Sequence, residues 1–122
     1  MSEDARKLIA KAVGDVLEEV PALKPLKLVV GVELHGRGDV QVFRLQLPEL
    51  TVSKDLPTDA KVRVEMRREE FNRLVELGTV AGWRSAFEIG RVKATGVQQY
   101  LQLIAQVVDR QDERTRTRRA RH

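Results

Sequence analysis

Residues 60–67, AKVRVEMR, alternate without a break: Ala60, Val62, Val64 and Met66 point one way, and Lys61, Arg63, Glu65 and Arg67 the other. Side chains two apart share a face of a strand, so this stretch is a strand with one dry and one wet side. A sheet built on it is covered on one face only, which points to an antiparallel or mixed sheet and away from a fully parallel one buried on both sides. The run passes without a turn signal into EEFNRLVELG, whose Phe71, Leu74 and Val75 follow a helical stripe over about 68–77, with Gly78 placed to end it.

The remaining chain is consistent with that start. Residues 3–20 carry Ile9, Ala12, Val13, Val16, Leu17 and Val20 at helical spacing, and Pro21 and Pro25 then predict a short extended link. Residues 26–35 alternate, with Leu26, Leu28, Val30, Val32 and Leu34 inward; Val29 is off that face and expected exposed. HGRGD supplies a hairpin turn. In 39–47 the apolar set moves from Val40 and Val42 to Phe43, Leu45 and Leu47, which predicts a bulge near Val42–Phe43. Pro48 fits an edge or a bend before a short strand at 50–53. A short helix over 81–90 puts Trp83 and Phe87 four apart, a brief strand spans Arg91–Thr95 between Gly90 and Gly96, and a last helix covers about 97–109, with Leu103 off its apolar stripe. This order predicts an α+β domain: a five-stranded, mostly antiparallel sheet with helices covering one face.

With 122 residues the chain is expected to be one domain, over 1–109, followed by an Arg-rich tail at 110–122 expected to be disordered. The tail holds six Arg against Asp112 and Glu113, which accounts for the whole net charge of +4. The body therefore sums to zero, which argues against a basic nucleic-acid-binding domain. There is no cysteine, no apolar run of membrane length, and no basic-then-apolar start of the signal-peptide kind, so a cytosolic location is expected.

The segment DAKVRVEMRREEFNRLVELGTVAGWRSAFEIGRVKATGVQQYLQLI, 59–104, resembles the sterol carrier protein-2 (SCP2-like) family. It has that family's alternating strand, its helix of the kind EEFNRLVELG, a short aromatic-bearing piece, a brief strand of the kind RVKATG, and a closing apolar helix. Gly90 and Gly96 then permit the tight turns that return the chain to the sheet. One departure is Val97, where the family often has an acidic residue. The resemblance implies an apolar tunnel between sheet and helices that binds fatty acids, acyl-CoAs or sterols, no catalytic motif and no cofactor.

On that implication Val62, Val64 and Met66 form the floor of the tunnel. Phe71, Trp83 and Phe87 form a wall, Tyr100, Leu101 and Ile104 a lid, and Leu74 is a further lining residue. The same residues equally suit a filled core, in which case the fold serves as a protein-interaction or scaffolding module. A lipid pocket and a core are both apolar and differ only in whether space remains. The chain is expected to be a monomer or weak dimer.

Other chemistry finds little support. His35 and His122 lack partners at metal spacing, so no metal site is expected. Glu69 and Glu70 are adjacent on a helix and expected on a solvated face. No serine sits in a nucleophile elbow, so the chain is not expected to be an enzyme. Arg114, Arg116, Arg118, Arg119 and Arg121 form the one strong basic run. It reads as a solubilising end, as a peripheral contact with anionic membrane, or as a phosphate contact to nucleic acid, the last disfavoured by the absence of aromatics for stacking.

Overall fold

The computed structural model describes the backbone of residues 2–120 and the side chains of residues 5–111. The elements run α1 (Ser2–Glu19), β1 (Leu28–His35), β2 (Val40–Leu47), β3 (Thr51–Ser53), β4 (Val62–Arg67), α2 (Arg68–Leu77), α3 (Val80–Glu88), β5 (Val92–Gly96) and α4 (Gln98–Ala120). Five strands form one sheet in the order β3-β2-β1-β4-β5. All neighbouring strands are antiparallel except β1 and β4, which are parallel. The α+β expectation holds, and the sheet is mixed.

Register explains the core. Val30, Val32 and Leu34 of β1 stand beside Val62, Val64 and Met66 of β4, and Val64 and Met66 in turn beside Ala94 and Val92 of β5. On the other side Val32 faces Phe43 and Val30 faces Leu45. This inward face packs against Ala5, Ile9 and Ala12 of α1, Phe71, Leu74 and Val75 of α2, and Ala86 of α3. A second, smaller cluster of Val20, Leu23 and Val80 is joined to α4 through Val107 and Val108, and Ile104 packs against both clusters.

The bulge expected near Val42–Phe43 is absent: β1 and β2 pair in unbroken register from Leu28 with Leu47 to His35 with Val40. Phe43 and Leu45 are inward throughout, and Val40 and Val42 are apolar residues on the outward face, Val40 being 51% exposed. The apparent change of phase was a change of composition on one face. The link after α1 is not extended either. Pro21 opens a 3-10 turn, Pro21–Leu23, which buries Leu23; proline's fixed φ suits a first helical position. Val29 is partly covered instead of exposed.

The outward face carries its own cover. The loop between β3 and β4 lays the buried Pro57 over Gly31, where an added Cβ would lie 3.0 Å from the Pro57 ring and 3.3 Å from the Arg63 side chain. Arg44 holds the loop there, its Nε and Nη2 donating to the two Asp59 carboxylate oxygens at 3.1 and 2.7 Å. That pairing keeps the Asp59 carboxyl below its usual range.

α4 continues to Ala120, past the boundary expected at 109. No Gly or Pro follows Gly96, so nothing in the chain breaks the helix there. The side chains of Arg114, Arg116, Arg118, Arg119 and Arg121, and with them the expected anion contact, lie outside the described residues.

Candidate functional site

Two glycine turns bring the last third of the chain over the sheet. α3 starts at Thr79, whose hydroxyl accepts from the Gly82 amide at 3.2 Å, while the Glu19 carboxylate accepts from the Val80 amide at 3.1 Å and ties the start of α3 to the end of α1. Beyond α3, Gly90 takes φ +81° and the Arg91 amide donates back to the Ala86 carbonyl at 2.9 Å, closing the helix. β5 then adds to the edge of β4. Gly96 at φ +134° comes so close to β4 that an added Cβ would meet the Lys61 carbonyl oxygen at 2.2 Å. The Val97 amide donates to that same carbonyl at 2.8 Å, and α4 departs from this point across β5.

The ten residues expected to line a tunnel separate into groups. Val62, Met66, Phe71 and Leu74 are core, each 4% exposed or less. They belong to the main core cluster. Val64, Trp83, Tyr100, Leu101 and Ile104 are packed against the core yet only half-buried. Phe87 is 40% exposed. Val80 and Ala86 take the buried stripe of this short helix, with Trp83 between them against Phe71 at 6.5 Å, edge to face. Phe87 lies at the rim of that stripe.

The contrast along β4 is the informative one. Val62 and Met66 flank Val64 on the same face and are 3% and 4% exposed, but Val64 between them is half-buried. Its partner on β5 is Ala94, which is also half-buried and has only a methyl group with which to cover the sheet. Tyr100, Leu101 and Ile104 of α4, which pack against the same core cluster, are half-buried as well. Together they form a partly covered apolar patch on the β4–β5 side of the core.

Two groups sit differently from the expectation. Glu70 is not on a solvated face: it is 9% exposed, accepts from Arg73 Nε at 3.0 and 3.2 Å, and has Arg91 Nη1 at 3.7 Å. Its hydrogen bonds with Arg73 hold its carboxyl below the usual range. Adjacent helical residues point apart, so one glutamate turned inward where the other did not, and an Arg three residues on was the available signal. His35 lies beside Glu33 and Glu65 on the outward face, with one donor atom from each within 4.8 Å of the others. Parallel pairing of β1 with β4 creates this set, and no spacing in the chain reveals it. Arg63, Arg67 and Lys93 stand on the same face around Glu65, and their charge opposes a cation there.

No protein-family model matches the chain, and no curated protein sequence matches it. Among solved structures it is similar to palmitated SCP2L2 from Aedes aegypti, determined in solution, with a TM-score of 0.55 and 16% identity over 79% of this chain and 93% of that one. The crystal structure of Sterol Carrier Protein 2 Like 2 from Aedes aegypti is similar to the same degree, with a TM-score of 0.55 and 16% identity over 80% of this chain and 94% of that one. The apo form of Sterol Carrier Protein 2 from Yarrowia lipolytica has a TM-score of 0.52 and 20% identity over 75% and 83% of the two chains. The chain has the fold of the sterol carrier protein-2-like family.

Proposed function

We propose that this protein is a non-enzymatic binder and carrier of an apolar, acyl-bearing small molecule, held in a recess over β4 and β5. The observation that carries the reading is Val64: an inward valine at the middle of a strand, half-buried between two buried neighbours. In a closed core that position is filled, because interiors pack as densely as organic crystals. The surrounding half-buried side chains are apolar and include one hydroxyl, on Tyr100, as a polar handle. Similarity to a palmitated protein of the same fold supports an acyl ligand. Each methylene taken into such a recess contributes about 0.8 kcal/mol, so a long chain needs no special chemistry to bind.

The test is a filling mutation, Val64→Phe, read against uptake of an environment-sensitive fluorescent fatty acid. A recess accepts the larger ring. The expected result is saturable micromolar uptake by the parent chain, displaced by sterols or acyl-CoAs according to preference, and loss of uptake in the variant with its melting temperature kept. A filled core behaves otherwise, since overpacking costs about 1–3 kcal/mol. A destabilised Val64→Phe variant and no uptake by the folded parent chain would replace the carrier reading with that of a scaffold for a protein partner.

A further inference from the structure

Away from the proposed apolar recess, a basin of about 1250 Å³ opens where β1 and β4 end, α2 begins and β5 starts. Six basic side chains line it: Arg37, Arg67, Arg68, Arg73, Arg91 and Lys93. Three carboxylates, Glu65, Glu69 and Glu70, oppose them, which leaves the basin at +3 while the first 109 residues as a whole sum to zero. The charge of the folded body is therefore segregated.

The carboxylates do not use up the cations. Glu70 engages Arg73 and Arg91, and Glu65 lies 3.6 Å from His35 Nε2. Among the described residues, the side chains of Arg37, Arg67 and Lys93 make no hydrogen bond or ion pair. Arg68 donates from Nη1 to Gln41 at 2.7 Å, but its Nε is buried and donates to nothing. A buried donor on a group that never loses its charge costs free energy unless an acceptor arrives. No side chain caps α2: Arg67 is at the N-cap position without a capping bond, so the positive end of the helix faces the basin. An orphaned guanidinium donor, three unengaged cations and an uncapped helix start meet at one place.

We propose that this basin binds a phosphate-bearing group, a phosphomonoester or a diphosphate. A group with two or more negative charges and several acceptor oxygens matches a net +3 lining of forked guanidinium donors better than a single carboxylate does. The group has two sources. It is either the headgroup of an amphipathic ligand or a free phosphate metabolite. Met66 lines the basin and also belongs to the core, two residues along β4 from Val64, which is about 7 Å along a strand. That adjacency favours a headgroup whose chain lies over Val64, but the phosphate site itself does not depend on lipid binding.

The experiment is calorimetric titration of the full chain with inorganic pyrophosphate and, separately, with monododecyl phosphate. Each is repeated on Arg67→Gln/Lys93→Gln, two exposed positions outside the core. The parent chain is expected to bind pyrophosphate saturably at one site at physiological ionic strength. The double variant is expected to bind it at least about tenfold more weakly, the loss that follows removal of charge-assisted bonds, with its melting temperature unchanged. Absence of saturable pyrophosphate and dodecyl phosphate binding, or equal affinity in the variant, overturns the proposal. If dodecyl phosphate binds more tightly than pyrophosphate and displaces the fluorescent fatty acid, the source is a headgroup. If pyrophosphate binds as well as dodecyl phosphate and neither displaces the probe, the source is a free phosphate. Failure of the lipid reading alone leaves the pyrophosphate result standing.

Discussion

Gly96 and Gly90 hold the two ends of a five-residue strand, and both have positive φ, yet their surroundings differ. An added Cβ meets nothing within 4 Å at Gly90 but lies 2.2 Å from the Lys61 carbonyl oxygen and 2.9 Å from the Val62 Cα at Gly96. Gly90→Ala thus pays only for its backbone conformation, about 1 kcal/mol. Gly96→Ala pays for the conformation and also pushes β5 off β4, a cost of at least about 3 kcal/mol. Urea unfolding of the two variants checks this: Gly96→Ala is expected to lose several times the stability that Gly90→Ala loses, and equal losses would mean that β5 is free to move. The glycines themselves were legible in the chain as punctuation. Which of them is spatially obligatory was not, because the obstructing carbonyl belongs to a residue 35 positions earlier.

At the scale of elements, α2 and the start of β5 are joined by one carboxylate. Glu70 in the first turn of α2 binds Arg73 one turn on and lies near Arg91 at the entry to β5. Its pKa is lowered in the folded protein, first by the Arg73 hydrogen bonds and further by the charges of Arg73 and Arg91. A depressed carboxyl contributes stability that is complete above its unfolded pKa, near 4.5, and is lost as pH falls through the lower folded value. Glu70→Gln is expected to cost about 1 kcal/mol at neutral pH, since Arg73 is well exposed and screened. Its stability is expected to fall less steeply than that of the parent below pH 4.5. Thermal melts between neutral and acid pH compare the two slopes, and parallel curves would mean that the Glu70 pair adds nothing to folding. The elements were largely legible: the order of strands and helices follows from apolar periodicity, and the clean alternation of 60–67 became the inward Val62–Val64–Met66 face of β4. The chain suggests a bulge in β2 that the fold lacks, because Val40 and Val42 are apolar on the wet side, and periodicity records composition, not orientation. For the proposed recess, the apolar residues were nameable but not which of them are buried and which half-buried. Met66 and Val64 are alike in pattern and differ only in what stands over them.

At the scale of the whole molecule, net charge hid the arrangement that matters. A body with as many acids as bases reads as neutral, but folding gathers six cations and three carboxylates into one basin, so the remainder of the body is net negative. The second positive region, the Arg run from Arg114 to Arg121, is contiguous in the chain and needs no folding to be seen. The two have different physical character. A run of arginines along a chain attracts any anionic surface, at about 1 kcal/mol per residue near the headgroups, and is screened by salt. A concave basin selects a compact multivalent anion. Vesicles containing phosphatidylserine therefore separate them. Replacing Arg114, Arg116, Arg118, Arg119 and Arg121 by Gln is expected to abolish co-sedimentation with such vesicles while leaving pyrophosphate binding intact. Arg67→Gln/Lys93→Gln is expected to do the reverse, and added salt is expected to release the parent chain from vesicles before it weakens pyrophosphate binding. If the five-arginine variant sediments with vesicles as the parent does, membrane contact belongs to the folded body. The exposed Phe87 and Ile89, near the entry to β5, would then be the residues to change next.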